Sequence, residues 1–116
     1  MTWVAVAELD RLEPDRGACA KLGEAQVALF RLSGSGKVFA LDNCDPFSGA
    51  NVLARGIVGD RDGEPKVASP MYKQSFSLRT GQCLDDPAVC VATYPVRLSD
   101  GFVEVWYEVA AQRLAG

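Results

Sequence analysis

The stretch YPVRLSDGFVEVWY, residues 94–107, limits what this chain can fold into more than any other. Asp100–Gly101 supplies the two residues that tolerate positive φ in a tight hairpin turn, and apolar and polar residues alternate on both sides of it. The turn sets the register. Leu98 falls opposite Val103 and Val96 opposite Val105 on one face, while Arg97 meets Glu104 on the other as a charge-complementary pair. A hairpin with one apolar face needs further strands to cover it. The rest of the sequence offers them as short segments rich in β-branched and aromatic residues, at 2–6, 17–21, 25–32, 37–42, 66–69, 75–78 and 82–84, beside 94–99 and 102–107. The expected class is therefore all-β. LRTGQ, residues 78–82, predicts another hairpin with Gly81 in the left-handed position.

At 116 residues the chain has the size of one domain, and the expectation is a single domain over 1–116. Between Asn43 and Lys66 the residues become rich in Gly, Pro and Asp, with one apolar interlude at Ile57–Val58, and the pattern predicts a long loop. The Ala-rich end YEVAAQRLAG predicts one or two helical turns. A net charge of −3 without a run of Lys or Arg argues against nucleic acid as a partner. The opening residues lack a basic region followed by an apolar one, and no apolar stretch approaches the roughly 20 residues of a spanning helix. The expectation is a cytoplasmic protein with no membrane association.

The chain contains no histidine. That removes the imidazole base, the haem ligand and all His-containing zinc or iron sites at once. Cys19, Cys44, Cys83 and Cys90 match neither zinc-knuckle nor ferredoxin spacing, and are read as small buried hydrophobes, with a disulfide as the lesser alternative. SGSGKVF is not a phosphate loop, because Arg31 and Val38 stand where Gly and Ser/Thr are needed. Asp60, Asp62 and Gly63 fail as a calcium loop, since Val58 and Ser69 occupy the first and last ligand positions. They are read as a solvated acidic turn, and no catalytic residues are assigned.

NCDPF, then SPMYKQSFSLRTGQ, then YPVRLSDGFVEVW together resemble the Rieske-type iron–sulfur domain over most of the chain. The resemblance implies an antiparallel β-sandwich or barrel of short strands with a cluster-loop region at about 43–80. In that family one loop carries C-x-H and the other C-x-x-H, and an F-x-x-x-T-G hairpin follows. Here the ligand positions hold Cys44, Pro46, Ser69 and Tyr72. Pro46 has no donor atom, and a serine and a tyrosine replace a thiolate and an imidazole. The expectation is a degenerate site that binds no metal. The alternative is an electron-transfer ferredoxin with unorthodox ligands drawn from Cys44, Cys83 and Cys90.

Within the Rieske-like proteins, GEPKVASP, YKQ and FSLRTGQCLDD are most similar to the small subunits of assimilatory NAD(P)H-dependent nitrite reductases. That likeness implies an accessory, non-catalytic subunit whose partner is a large catalytic subunit carrying flavin, a [4Fe–4S] cluster and sirohaem, and reducing nitrite to ammonium. Pro46, Phe47, Met71, Tyr72 and Lys73 correspond to the tip through which the family meets its partners, with Gln74 on the rim. Tyr72 has two available placements, an outward docking face or an inward plug in the vacated cluster space. Phe47, Pro70 and Tyr72 are expected to pack the metal-free loops, with the Ser69 hydroxyl bonded to loop backbone.

Overall fold

The computed structural model describes residues 2–107, so the expected helical turns of the tail lie outside the described residues. Ten strands form three antiparallel sheets. The first contains β1 (Thr2–Glu8), β10 (Phe102–Tyr107) and β9 (Val96–Ser99) in that order. The second runs β2 (Gly17–Leu22), β3 (Ala25–Arg31), β4 (Val38–Asp42) and β8 (Thr93–Tyr94). The third runs β5 (Ile57–Arg61), β6 (Glu64–Ala68) and β7 (Ser75–Ser77).

The second sheet lies between two cores, and β3 shows why. Side chains alternate across a strand, and here both faces are apolar. Val27 and Leu29 join Leu12, Leu22, Val103, Val105 and Tyr107 on one side. Ala28 and Phe30 join Leu41, Leu53, Val67, Phe76 and Leu78 on the other. All four of these β3 residues are at most 1% exposed. The third sheet is thus anchored by its own apolar face, which positions the loops at its end.

The hairpin at 94–107 forms as the sequence predicts. Leu98 pairs with Val103, Val96 with Val105 and Arg97 with Glu104, around Asp100 and Gly101 at φ 52° and 81°. Arg97 Nε donates to Glu104 at 2.5 Å, and its guanidinium stacks 4.5 Å from the Trp3 ring. Three expectations need correction. The segment 94–99 is split at Pro95 into β8 and β9, which belong to different sheets, because proline cannot donate to a ladder. Residues 82–84 make only isolated bridges, Gln82 to Cys90 and Cys83 to Phe76. The long loop contains β5, and β6 begins at Glu64. The acidic turn at Asp62–Gly63 is exposed, as expected, and closes the β5–β6 hairpin at φ 52° and 86°, nearly the angles of Asp100–Gly101.

All four cysteines are free. Cys83 is buried and Cys44 partly so, whereas Cys19 and Cys90 are exposed, against the reading of all four as buried hydrophobes. Cys19 lies on β2, an outer strand of its sheet, with its thiol near the Gln26 side chain at 3.6 Å. Among the described residues no helix is long and apolar enough to cross a membrane.

Candidate functional site

Four six-residue loops share one backbone design. In each, the first residue's N–H bonds the carbonyl of the sixth, and the fifth residue's N–H bonds the carbonyl of the first, an α-turn closing a hairpin. The pairs are Leu32–Lys37 and Gly36–Leu32, Asp45–Ala50 and Gly49–Asp45, Ser69–Gln74 and Lys73–Ser69, and Ser77–Gln82 and Gly81–Ser77, all between 2.7 and 3.0 Å. The fifth residue takes positive φ every time: Gly36 73°, Gly49 75°, Lys73 65° and Gly81 80°. Glycine meets that demand at little steric cost, and lysine does not.

The fourth residue follows a rule as well. Ser35, Ser48 and Thr80 each accept a hydrogen bond at 3.2 Å from the N–H two residues on. In the loop 69–74 that position is Tyr72, which cannot make this bond. Three loops therefore carry Ser/Thr–Gly where the fourth carries Tyr72–Lys73. This pair departs from what the backbone alone would select.

Loops 45–50 and 69–74 are locked together at their first residues. Ser69 Oγ donates to Asp45 Oδ2 at 2.5 Å, and both side chains are buried, 1% and 0% exposed. Asp45 Oδ1 accepts from the Phe47 N–H at 2.8 Å, and Ser69 Oγ accepts from the Met71 N–H at 3.3 Å. The expected bond from Ser69 to loop backbone is thus present, but the serine's own proton goes to Asp45. Asp45 is the residue sequence reasoning passed over. Its signal is the repeat of a polar residue, then proline, in DPFSGA and SPMYKQ, together with the shared Ser/Thr–Gly of the other loops.

Asn43, 3% exposed, ties the first loop to the second sheet. Its amide donates to Gln26 Oε1 at 3.1 Å, and its side-chain oxygen accepts from the Ala54 N–H at 2.7 Å. Above this base the tips are open: Pro46 and Pro70 are exposed, Met71 is 48% and Tyr72 61% exposed. Tyr72 is therefore no interior plug. Phe47, at 36%, leans on the buried Phe76 with ring centroids 6.1 Å apart, so it packs with one face only. Gln74 is half-buried, and its Oε1 has no hydrogen-bond partner among the described residues.

A family model for the Rieske-like [2Fe-2S] domain matches residues 2–106. The NADH nitrite reductase small subunit of Escherichia coli K12 is 43% identical over 103 residues, which span 89% of this chain and 95% of that protein. The chain belongs to the nitrite reductase small-subunit family. A crystal structure of a Mycobacterium tuberculosis protein assigned as an NADH-dependent small subunit is 50% identical, with a TM-score of 0.85 over 90% of this chain and 93% of that one. A segment of the Klebsiella oxytoca NAD(P)H nitrite reductase large subunit, 10% of its length, is 46% identical to 90% of this chain.

This small-subunit relative carries a donor set that does not fit a [2Fe-2S] cluster. The Cys44 thiol is held above its ordinary pKa by burial, then by the negative charges of Asp42 and Asp45, the opposite of what a thiolate ligand requires. Pro46 offers no donor atom, the Ser69 hydroxyl donates its hydrogen bond to Asp45, and the Asp45 side chain fills the junction between the loops. Among the described residues, no three Cys, Asp or Glu side chains gather where they could hold a metal ion, so Cys44, Cys83 and Cys90 do not converge.

Proposed function

We propose that the chain acts as a cluster-free, single-domain accessory subunit of a cytoplasmic NAD(P)H-dependent nitrite reductase. It docks on a large catalytic subunit that carries flavin, a [4Fe–4S] cluster and sirohaem and reduces nitrite to ammonium. The docking surface is the pair of loop tips: Pro46, Phe47, Met71 and Tyr72 form an apolar centre, and Lys73 and Gln74 a polar rim. The observation that carries this reading is the Tyr72–Lys73 pair. It puts an aromatic face outward and a lysine into left-handed backbone, in a loop whose three counterparts use the residues the backbone prefers. A local rule broken without local gain points to a functional demand. Tyrosine suits an interface because it brings a large amphipathic face at small entropic cost. The occurrence of a similar module inside a large-subunit chain supports a standing association between the two.

Two measurements test the reading. The purified chain should be colourless with negligible iron; iron at about two atoms per chain would restore the ferredoxin alternative. Tyr72→Ser should leave folding stability within about 0.5 kcal/mol, since the ring is exposed, and weaken binding to the catalytic subunit at least about tenfold. Unchanged binding by Tyr72→Ser would remove the tip from the interface.

A further inference from the structure

A second surface remains open at the far end of the third sheet, where β5 is the outer strand. The two-residue turn Asp62–Gly63 makes Arg61–Glu64 a hydrogen-bonded pair. Alternation along an antiparallel ladder then assigns Gly59–Lys66 and Ile57–Ala68 the same role. Val58 and Asp60 are left with N–H and C=O turned away from β6. Pro65, opposite Asp60, agrees: it has no N–H to give, and its carbonyl accepts from Leu78 on the other side. Among the described residues nothing pairs with the outward groups of Val58 and Asp60.

Val58 and Asp60 line a cleft. Two adjoining cavities of about 650 and 670 Å³ share Asp15 and Val58 in their walls and run along the β5 edge. The far wall includes Gly17 and Ala18 of β2, an outer strand of its own sheet. One end is basic. The Arg55 guanidinium has no hydrogen-bond or ion-pair partner among the described residues, while Arg11 and Arg16 hold exposed glutamates at 2.8 and 3.3 Å, contacts that water screens and a ligand can replace. Glu13 and Asp15 line this end too, but Asp15 is occupied by the Ser33 N–H and hydroxyl at 3.0 and 2.6 Å. Ile57, 78% exposed, stands beside the arginines.

The geometry points to an extended segment of the catalytic subunit adding to β5 as a fourth strand, with a carboxylate at the Arg55 end and an apolar side chain on Ile57. Strand addition draws affinity from the free backbone groups and selectivity from the flanking side chains. A cleft walled on its far side by β2 suits a lone strand better than the edge of a second sheet. The inference rests on the docking reading above and adds a contact remote from the loop tips.

Amide hydrogen exchange on the complex of the full chain with its catalytic subunit tests it. The Val58 and Asp60 amides should exchange at least about tenfold more slowly in the complex than in the free chain. Asp60→Pro removes the outward N–H at a site where an edge strand tolerates proline, and should weaken binding about tenfold. Asp60→Asn keeps that N–H and a side-chain oxygen for the Gly63 N–H, which Asp60 now holds at 3.2 Å, and should bind within about twofold of the parent. Unprotected Val58 and Asp60 amides in a complex that still forms would overturn the cleft contact and leave the tip as the docking surface. Protection that rises with the chain's own concentration, without the catalytic subunit, would assign the edge to a second copy and overturn the proposal. Failure of the parent chain to form any complex would overturn the docking reading, and this inference with it.

Discussion

Loops 45–50 and 69–74 have the same hydrogen bonds, the same left-handed fifth residue and the same proline in second place, yet they spend their fourth and fifth positions differently. Ser48 and Gly49 serve the loop: one accepts the Ala50 N–H and the other takes positive φ freely. Tyr72 and Lys73 do neither. With the backbone held constant, the difference in side chains separates what the fold requires from what it does not. The fold requires the base, where Asp45 and Ser69 meet. It does not require the tip of the second loop.

The largest effect should come from breaking the base. Asp45→Ala removes the acceptor of two hydrogen bonds in a site closed to water, and should cost about 2–4 kcal/mol in urea denaturation. A loss below about 0.5 kcal/mol would mean that the two loops are held independently of each other. Phe47→Ala comes next. With one face of its ring open, the expected loss is about 1–2 kcal/mol by the same measurement, below the ~3–5 kcal/mol of a fully buried phenylalanine.

Gly49 and Lys73 give reciprocal tests of the shared backbone. A Cβ on Gly49 would meet nothing within 4 Å, so Gly49→Ala isolates the conformational term and should destabilise by about 1 kcal/mol. Lys73→Gly relieves the same term and gives back part of it as unfolded-chain entropy, for a net gain of about 0.5 kcal/mol in thermal or urea melting. The gain should be accompanied by weaker binding to the catalytic subunit. Equal signs for the two substitutions would show that the loops are not equivalent in backbone demand.

What was legible in the sequence follows the range of the interactions involved. The 94–107 hairpin could be read because its turn, alternation and charge pair are all local. β5 could not. Ile-Val-Gly-Asp-Arg contains only two strong β-formers, and its pairing comes from β6 rather than from its own propensity. The Asp–Gly at 62–63 reads correctly as a solvated acidic turn, but its acidic flanks hide the two strands that it joins. The cluster-loop residues Pro46, Met71, Tyr72 and Lys73 were placed by family resemblance and do lie at exposed loop tips. Asp45 was missed for a physical reason. A carboxylate in a loop is ordinarily solvated, and its burial here depends on Ser69, which is distant in sequence and becomes a neighbour only after folding.

The pairing of β1 with β10 has a spectroscopic consequence. Trp3 and Trp106, the only two tryptophans, lie opposite each other on these strands, edge to face with centroids 5.1 Å apart. Intrinsic fluorescence of this protein therefore watches one event, the clasping of the first described strand against the last. Closing so long a span of chain carries a larger entropic penalty than closing any hairpin within it. A refolding trace followed at the indole band would consequently be blind to loops 45–50 and 69–74 and would time the joining of the ends.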